Sequence, residues 1–167
     1  MSASSRRAAL RLLAAGVLFI AGCAQPARSP QPDEASVGVW RGRLALQVEN
    51  SPSQSFSAGF ELKGRPDTGE LLLYNPLGGT LAALNWAPGS ATLRSGNDIR
   101  QFESIDTLVT GATGTAIPVA SLFDWLAGNN TPVQGWEADL SQLAQGRLHA
   151  RRVAPSPVAD LRVALDK

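Results

Sequence analysis

The sequence is poor in the residues on which metal and thiol chemistry depend. Its 167 residues include one cysteine, one histidine, one methionine and one tyrosine. Transition-metal sites use several cysteine and histidine ligands, so we expect no metal site and no cofactor. A single cysteine also has no intrachain partner for a disulfide, so packing must stabilise the fold.

Sequence signatures of catalysis are scarce as well. No Gly-x-Ser-x-Gly nucleophile motif occurs in the chain. The glycine-rich segment 111–114 has no lysine after it, which favours a loop over a phosphate cradle. His149 falls on the polar face of a predicted strand, where a solvated side chain is the simpler interpretation. The sequence therefore indicates a protein that is not an enzyme, with an esterase as a distant alternative.

The charge is nearly balanced. The chain has 15 basic and 14 acidic residues, and three of the basic residues, Arg6, Arg7 and Arg11, lie near its start. The rest of the chain has a net charge of about −2, which is not the positive surface that nucleic acid attracts. We expect no nucleic-acid partner.

The first 23 residues have the pattern of a bacterial lipoprotein signal. The arginines precede an apolar run over residues 12–21, which is the length of a signal peptide and too short to cross a bilayer. The run ends in Ala-Gly-Cys23, which resembles a lipobox, where the cysteine is acylated and the signal is removed. We predict a signal peptide over residues 1–22 and lipidation at Cys23. The alternative is an ordinary secretory signal with an incidental cysteine. In lipoproteins of this kind, an aspartate directly after the acylated cysteine favours retention in the inner membrane. This chain has Ala24 at that position, which favours the outer membrane.

The remainder of the chain is expected to contain a tether and one domain. Residues 23–38 are rich in proline and polar residues, which predicts a flexible tether. Within the domain, residues 39–167, apolar and polar residues alternate in segments that predict strands over 40–48, 55–62, 70–74, 80–86 and 91–94. Helical spacing follows Ser104 and Pro118, and alternation then returns in three segments that begin at 136, 148 and 159. This order predicts an α+β domain that is mainly antiparallel: a curved, unclosed β-barrel with a helical lid inserted between strands.

Two motifs in the domain resemble those of the LolB family of outer-membrane lipoproteins. Residues 71–80 read Leu-Leu-Leu-Tyr-Asn-Pro-Leu-Gly-Gly-Thr, and residues 117–128 read Ile-Pro-Val-x-x-Leu-x-x-Trp-x-x-Gly. Residues 41–45 are similar to the family's first strand. The chain departs from the family in lacking a helix before that strand and in a short C-terminal part, which suggests about nine strands instead of about eleven.

The resemblance implies a function in lipoprotein transport. It implies an outer-membrane protein that faces the periplasm and accepts acylated lipoproteins from a LolA-like periplasmic carrier. It would then insert them into the inner leaflet of the outer membrane without an energy source, and we expect it to be a monomer. The alternatives are a lipoprotein that binds another lipid on the same fold and a structural lipoprotein with a filled core.

The resemblance also implies a membrane-insertion loop made of Asn75, Pro76, Leu77 and Gly78. A leucine at a turn tip is either folded back onto the core or exposed. From the residues alone, folding back is the better interpretation of Leu77. The resemblance reverses it, because the corresponding loop of the family projects its leucine into the membrane.

An acyl-chain cavity is expected on the concave face of the sheet, under the helix that contains Trp125. Acyl chains need an apolar space with few polar groups. The predicted lining consists of Leu44, Leu46, Phe56, Phe60, Leu62, Leu84, Trp86, Leu122, Phe123, Trp125 and Trp136. For any one of these residues, a place in an ordinary filled core is an equal alternative.

Overall fold

A computed structural model of the protein describes residues 37–167. The predictions for the signal peptide, for Cys23 and for residues 24–36 of the tether lie outside the described residues. The strands of the described part are β1 (Gly38–Val48), β2 (Gln54–Gly64), β3 (Gly69–Tyr74), β4 (Thr80–Ala87), β5 (Ser90–Ser95), β6 (Asp98–Phe102), β7 (Trp136–Asp139), β8 (Arg147–Arg152) and β9 (Ala159–Leu165). The helices are α1 (Ile105–Thr113) and α2 (Val119–Leu126), and a short 3₁₀ helix spans Leu143–Gln145.

All nine strands belong to one antiparallel sheet in the order β6-β5-β4-β3-β2-β1-β9-β8-β7. In the described residues β6 and β7 are the two edges and do not pair with each other, so the curled sheet stays open. The connection from β6 to β7 contains both helices, and their buried side chains pack against those of the sheet. The predicted α+β class, with an unclosed barrel and helices inserted between strands, is confirmed.

The strands form where the sequence alternates between apolar and polar residues. In β1, Leu46 and Val48 are buried while Arg43 and Gln47 on the other face are exposed. Successive side chains of a strand point to opposite faces, so this pattern gives the sheet one apolar concave face and one polar convex face. In the β1–β2 pair Leu46 lies opposite Phe56, which keeps apolar residues together on the concave face.

Both helices begin at the predicted signals, but residues 111–113, which the sequence predicted to form a loop, belong to α1, because the capped helix continues up to Gly114. Ser104 forms a capping box with Thr107 at the start of α1, and Gly114 ends that helix at φ 70°. Pro118 precedes the first residue of α2, where its missing N–H is not needed. Gly128 lies two residues after the end of α2, at φ 89°.

Strand β6 is absent from the sequence prediction. Its concave side bears Arg100 and Phe102, and its only aliphatic residue, Ile99, points outward and is half exposed. The apolar alternation that marks a strand is therefore missing. Pairing with β5, in which Ile99 lies opposite Arg94, supplies the hydrogen bonds that hold this segment as an edge strand.

The convex face near β1 and β2 contains a pH-sensitive ion-pair group. Glu61 accepts a hydrogen bond from Arg41 Nε at 2.6 Å and also pairs with Lys63. Hydrogen bonds from Arg41 and Lys63 lower the pKa of Glu61 to about 2. Because this pKa lies below that of the unfolded chain, about 4.3, the pairing stabilises the fold above that pH. The stabilisation is lost as the pH falls towards 2.

Glu61→Gln is therefore expected to lose less stability on acidification than the unmodified protein does. The two proteins should differ most near neutral pH and converge as the pH falls from about 4.3 towards 2. Urea unfolding at a series of pH values measures this difference. Glu103→Gln is the control, because Glu103 is exposed and makes no ion pair in the described part of the chain. If the free energy of unfolding falls with pH in parallel for Glu61→Gln and the unmodified protein, the prediction is contradicted.

Candidate functional site

An apolar cavity of about 550 Å³ lies between the concave face of the sheet and the two helices. Cavities of 300–1,000 Å³ with apolar walls are typical of sites that bury a small ligand. Strands β1 to β6 and β9 form one wall, and residues of α1 and α2 form the other. Arg100 is the only charged residue that lines this cavity among residues 37–167.

Nine of the eleven residues predicted for the lining are at this cavity. They are Leu44, Leu46, Phe56, Phe60, Leu62, Leu84, Trp86, Leu122 and Phe123. Phe56 lies at the mouth, because 41% of its surface is exposed, as is 36% of the surface of Leu81 beside the same cavity. Arg100 is also exposed, so its charged group is in contact with solvent.

Trp125 and Trp136 do not line the cavity, and this part of the prediction is corrected. Trp125 follows Phe123 by two positions, about 200° around the helix, so it faces away from the cavity. Its ring lies 6.3 Å from that of Trp136, and its Nε1 donates a hydrogen bond to the carbonyl oxygen of Thr131 at 2.9 Å. The two tryptophans pack in another part of the core.

Several lining residues were not predicted from the sequence, and Leu71 and Leu73 are the clearest cases. They belong to a run of three leucines, in which alternation does not show which side chains point inward. The register decides: Leu71 lies opposite Leu62, and Leu73 lies opposite Phe60. Leu72 between them faces the convex side. The three leucines alone do not show which side chains point inward, whereas their pairing with residues of β2, whose orientation is clear, does.

Aromatic contacts hold the lid helix α2 over the sheet. The ring of Phe123 meets Trp40 edge-on at 5.5 Å and Trp86 at 6.2 Å. The indole Nε1 of Trp86 donates a hydrogen bond to the carbonyl oxygen of Pro66 at 3.1 Å. These contacts fix the position of helix α2 over the concave face of the sheet.

A second attachment lies between the two helices. Thr115 is buried, and its Oγ1 accepts a hydrogen bond from Nη1 of Arg152. Arg152 is on the concave face of β8, which lies between β9 and β7 in the sheet. The contact ties the α1–α2 connection to the sheet.

The loop between β3 and β4 presents Leu77 to solvent. Oδ1 of Asn75 accepts hydrogen bonds from the backbone N–H groups of Leu77 and Gly79, each at 2.9 Å. Gly78 adopts φ 84°, a conformation that favours glycine. Leu77 is 96% exposed. The interpretation from the residues alone, a leucine folded back onto the core, is therefore wrong.

The described residues offer little for metal or acid–base chemistry. His149 pairs with Asp160 at 2.7 Å on the convex face, and Arg162 pairs with the same carboxylate at 2.8 Å. No group of three or more His, Cys, Asp or Glu residues within 37–167 is arranged to hold a metal ion. None of the helices in that range is long and apolar enough to cross a membrane.

The fold and the cavity define an open β-barrel protein with a helical lid over an apolar site. A family model described as "Outer membrane lipoprotein LolB" matches residues 39–154. The chain belongs to the LolB family of outer-membrane lipoproteins, as the resemblance predicted.

Relatives named "Outer-membrane lipoprotein LolB" match most of the chain. The protein of Cupriavidus necator is 37% identical over 149 residues, covering 86% of this chain and 74% of the relative. That of Bordetella petrii is 34% identical, covering 81% of this chain and 69% of the relative. That of Ralstonia nicotianae is 32% identical, covering 86% and 71%.

Proposed function

We propose that this protein accepts acylated lipoproteins from a LolA-like periplasmic carrier and delivers them to the inner leaflet of the outer membrane. The apolar cavity beneath the lid helix is the observation that supports this most directly. Each acyl methylene moved from water into such a space gains about 0.8 kcal/mol. The transfer makes and breaks no covalent bond, so the protein acts without catalysis.

Transfer without an energy source requires an ordered set of affinities. The cavity must bind acyl chains more tightly than the carrier does and more weakly than the bilayer does. Its open mouth, marked by the exposed Phe56 and Leu81, gives acyl chains a route in and out. A fully enclosed cavity of the same lining would hold its contents too firmly for release.

Leu77 supplies membrane contact in this proposal. Burying one leucine gains about 1.5–3 kcal/mol, which is too little to anchor a protein. It is enough to orient a protein that is already attached. We assign that attachment to acyl chains on Cys23 after removal of residues 1–22, with residues 23–38 as a tether and the domain, residues 39–167, as a monomer facing the periplasm.

A transfer assay tests the proposal. All nine strands and both helices fall within residues 37–167 and share one core, so a form that lacks residues 1–23 keeps the whole described fold. When mixed with a complex of an acylated lipoprotein and its periplasmic carrier, this form is expected to take the lipoprotein. Size-exclusion chromatography measures the transfer, and the same lipoprotein without acyl chains is the control.

The result separates the proposed function from its alternatives. Cargo that stays with the carrier would show that the proposal is wrong. A form that takes up a fluorescent fatty acid but no lipoprotein would indicate a carrier of another lipid. Arg100 lines the cavity and is exposed, so an anionic headgroup of such a ligand can reach its guanidinium group, which also lies 3.6 Å from the carboxylate of Asp98. A form that takes up neither would indicate a structural protein.

A further inference from the structure

The convex face of the sheet contains a second concave site, which is separate from the apolar cavity. This convex-face groove has a volume of about 750 Å³. It crosses β2, β1, β9 and β8, and its floor is made of small residues that include Ala45, Ser57 and Gly59. Three arginines, Arg43, Arg147 and Arg162, line it. A shallow floor with guanidinium groups around it can admit a polar anionic group.

Two of these arginines have no acidic partner among the described residues. Arg162 is paired with Asp160, which also pairs with His149. Asp139, another lining residue, accepts a hydrogen bond from the backbone N–H of Ser141 at 2.9 Å. Arg43 and Arg147 form no ion pair within residues 37–167. Their positive charge is therefore free to act on a ligand.

The groove shares residues with the loop that exposes Leu77. Asn75, Pro76 and Gly78 line the groove, and Leu77 lies between them with 96% of its surface exposed. If Leu77 enters the apolar layer of a bilayer, the groove beside it comes close to the polar surface of that bilayer. Phosphate groups are then the anions nearest to the arginines.

We propose that the convex-face groove binds the headgroups of anionic phospholipids, with Arg43 and Arg147 as the residues that contact phosphate. The inference rests on the proposed function, because it takes Leu77 as the residue that enters the membrane. A guanidinium group presents a planar pair of N–H donors that matches two phosphate oxygens. A basic residue near an anionic membrane strengthens binding about fivefold. The groove thus orients the cavity relative to the membrane surface.

Vesicle binding tests the groove directly. The form lacking residues 1–23 is mixed with vesicles of phosphatidylcholine alone or of phosphatidylcholine with phosphatidylglycerol, at about 0.1 M salt, where charges interact over about 10 Å. We expect Arg43→Gln and Arg147→Gln each to weaken binding to the phosphatidylglycerol vesicles about fivefold. Binding to phosphatidylcholine alone should not change. Co-sedimentation measures both affinities.

Arg94→Gln is the matched control. Arg94 is an exposed residue on the convex face of β5, outside the groove and without an ion pair in the described chain. It should retain the preference for phosphatidylglycerol. The proposal for the groove is wrong if all variants prefer phosphatidylglycerol vesicles to the same extent, or if Arg94→Gln loses this preference as much as Arg43→Gln and Arg147→Gln do. Thermal unfolding verifies that each variant is folded.

The two proposals fail in different measurements. Cargo uptake from the carrier tests the proposed function and uses the apolar cavity, which neither Arg43 nor Arg147 lines, so the arginine variants should take up cargo normally. Loss of phosphatidylglycerol preference together with normal uptake supports the groove. If Arg43→Gln and Arg147→Gln keep the normal preference for phosphatidylglycerol vesicles and also take up cargo, the proposal for the groove is wrong and the proposed function stands.

Discussion

Leu77→Glu is expected to accept lipoprotein cargo normally and to fail in delivering it to liposomes. The side chain is 96% exposed, so the substitution removes no core contact, and the hydrogen bonds that Asn75 makes to the loop backbone do not depend on it. The lost burial of one leucine, about 1.5–3 kcal/mol, corresponds to a decrease of about ten- to a hundredfold in delivery. The charge of glutamate in an apolar layer increases the loss. Flotation of liposomes with bound cargo measures it.

Ile99→Glu is the matched control for Leu77→Glu. Ile99 is also an exposed aliphatic residue on the surface, but it lies in β6, away from the β3–β4 loop. The Ile99→Glu variant should deliver cargo at the normal level. Leu77→Met should do so too, because methionine keeps an apolar side chain at the tip of the loop. Normal delivery by Leu77→Glu would mean that the exposed leucine has no part in membrane contact.

Ala82→Trp is expected to weaken acyl-chain binding roughly a hundredfold while leaving the fold intact. Ala82 is half-buried in β4, lines the cavity and lies opposite Leu73. An indole ring at this position would occupy space within the 550 Å³ cavity. Excluding about four methylenes of an acyl chain costs about 3 kcal/mol, or roughly a hundredfold in affinity. Titration with a fluorescent fatty acid measures the loss.

Ala83→Trp separates cavity filling from the effect of a bulky residue in β4. Ala83 is the next residue, lies opposite Leu72 on the convex face and does not line the cavity. It should bind the probe with normal affinity. Undiminished binding by a folded Ala82→Trp would show that the ligand does not occupy this cavity.

Local patterns in the sequence predicted most of the secondary structure. Strand β9 and helix α2 are typical: alternation in the strand and spacing of three and four in the helix match their burial. Strand β6 escaped prediction because an edge strand can form through pairing with β5 without an apolar face of its own. Its existence depends on a neighbour, not on its own residues.

The site shows the same division between local and long-range information. Phe60 and Leu62 were assigned to the cavity because their strand alternates clearly. Trp125 and Trp136 were misassigned because apolar character does not reveal which part of a core a side chain joins. Leu71 and Leu73 were missed because a run of leucines shows no preferred face.

The sequence by itself determined the family, the α+β class, the order of the helices and of every described strand except β6, and the capping of α1. These properties depend on residues that lie close together in the sequence and on motifs that occur in a fixed order along it. The family resemblance also implies an exposed leucine in the β3–β4 loop, and Leu77 is 96% exposed in the structure. Only the tertiary structure decided that an apolar space of about 550 Å³ exists under the helices and which side chains line it. An empty volume depends on where residues distant in the sequence leave space unfilled, and a local sequence pattern does not show this.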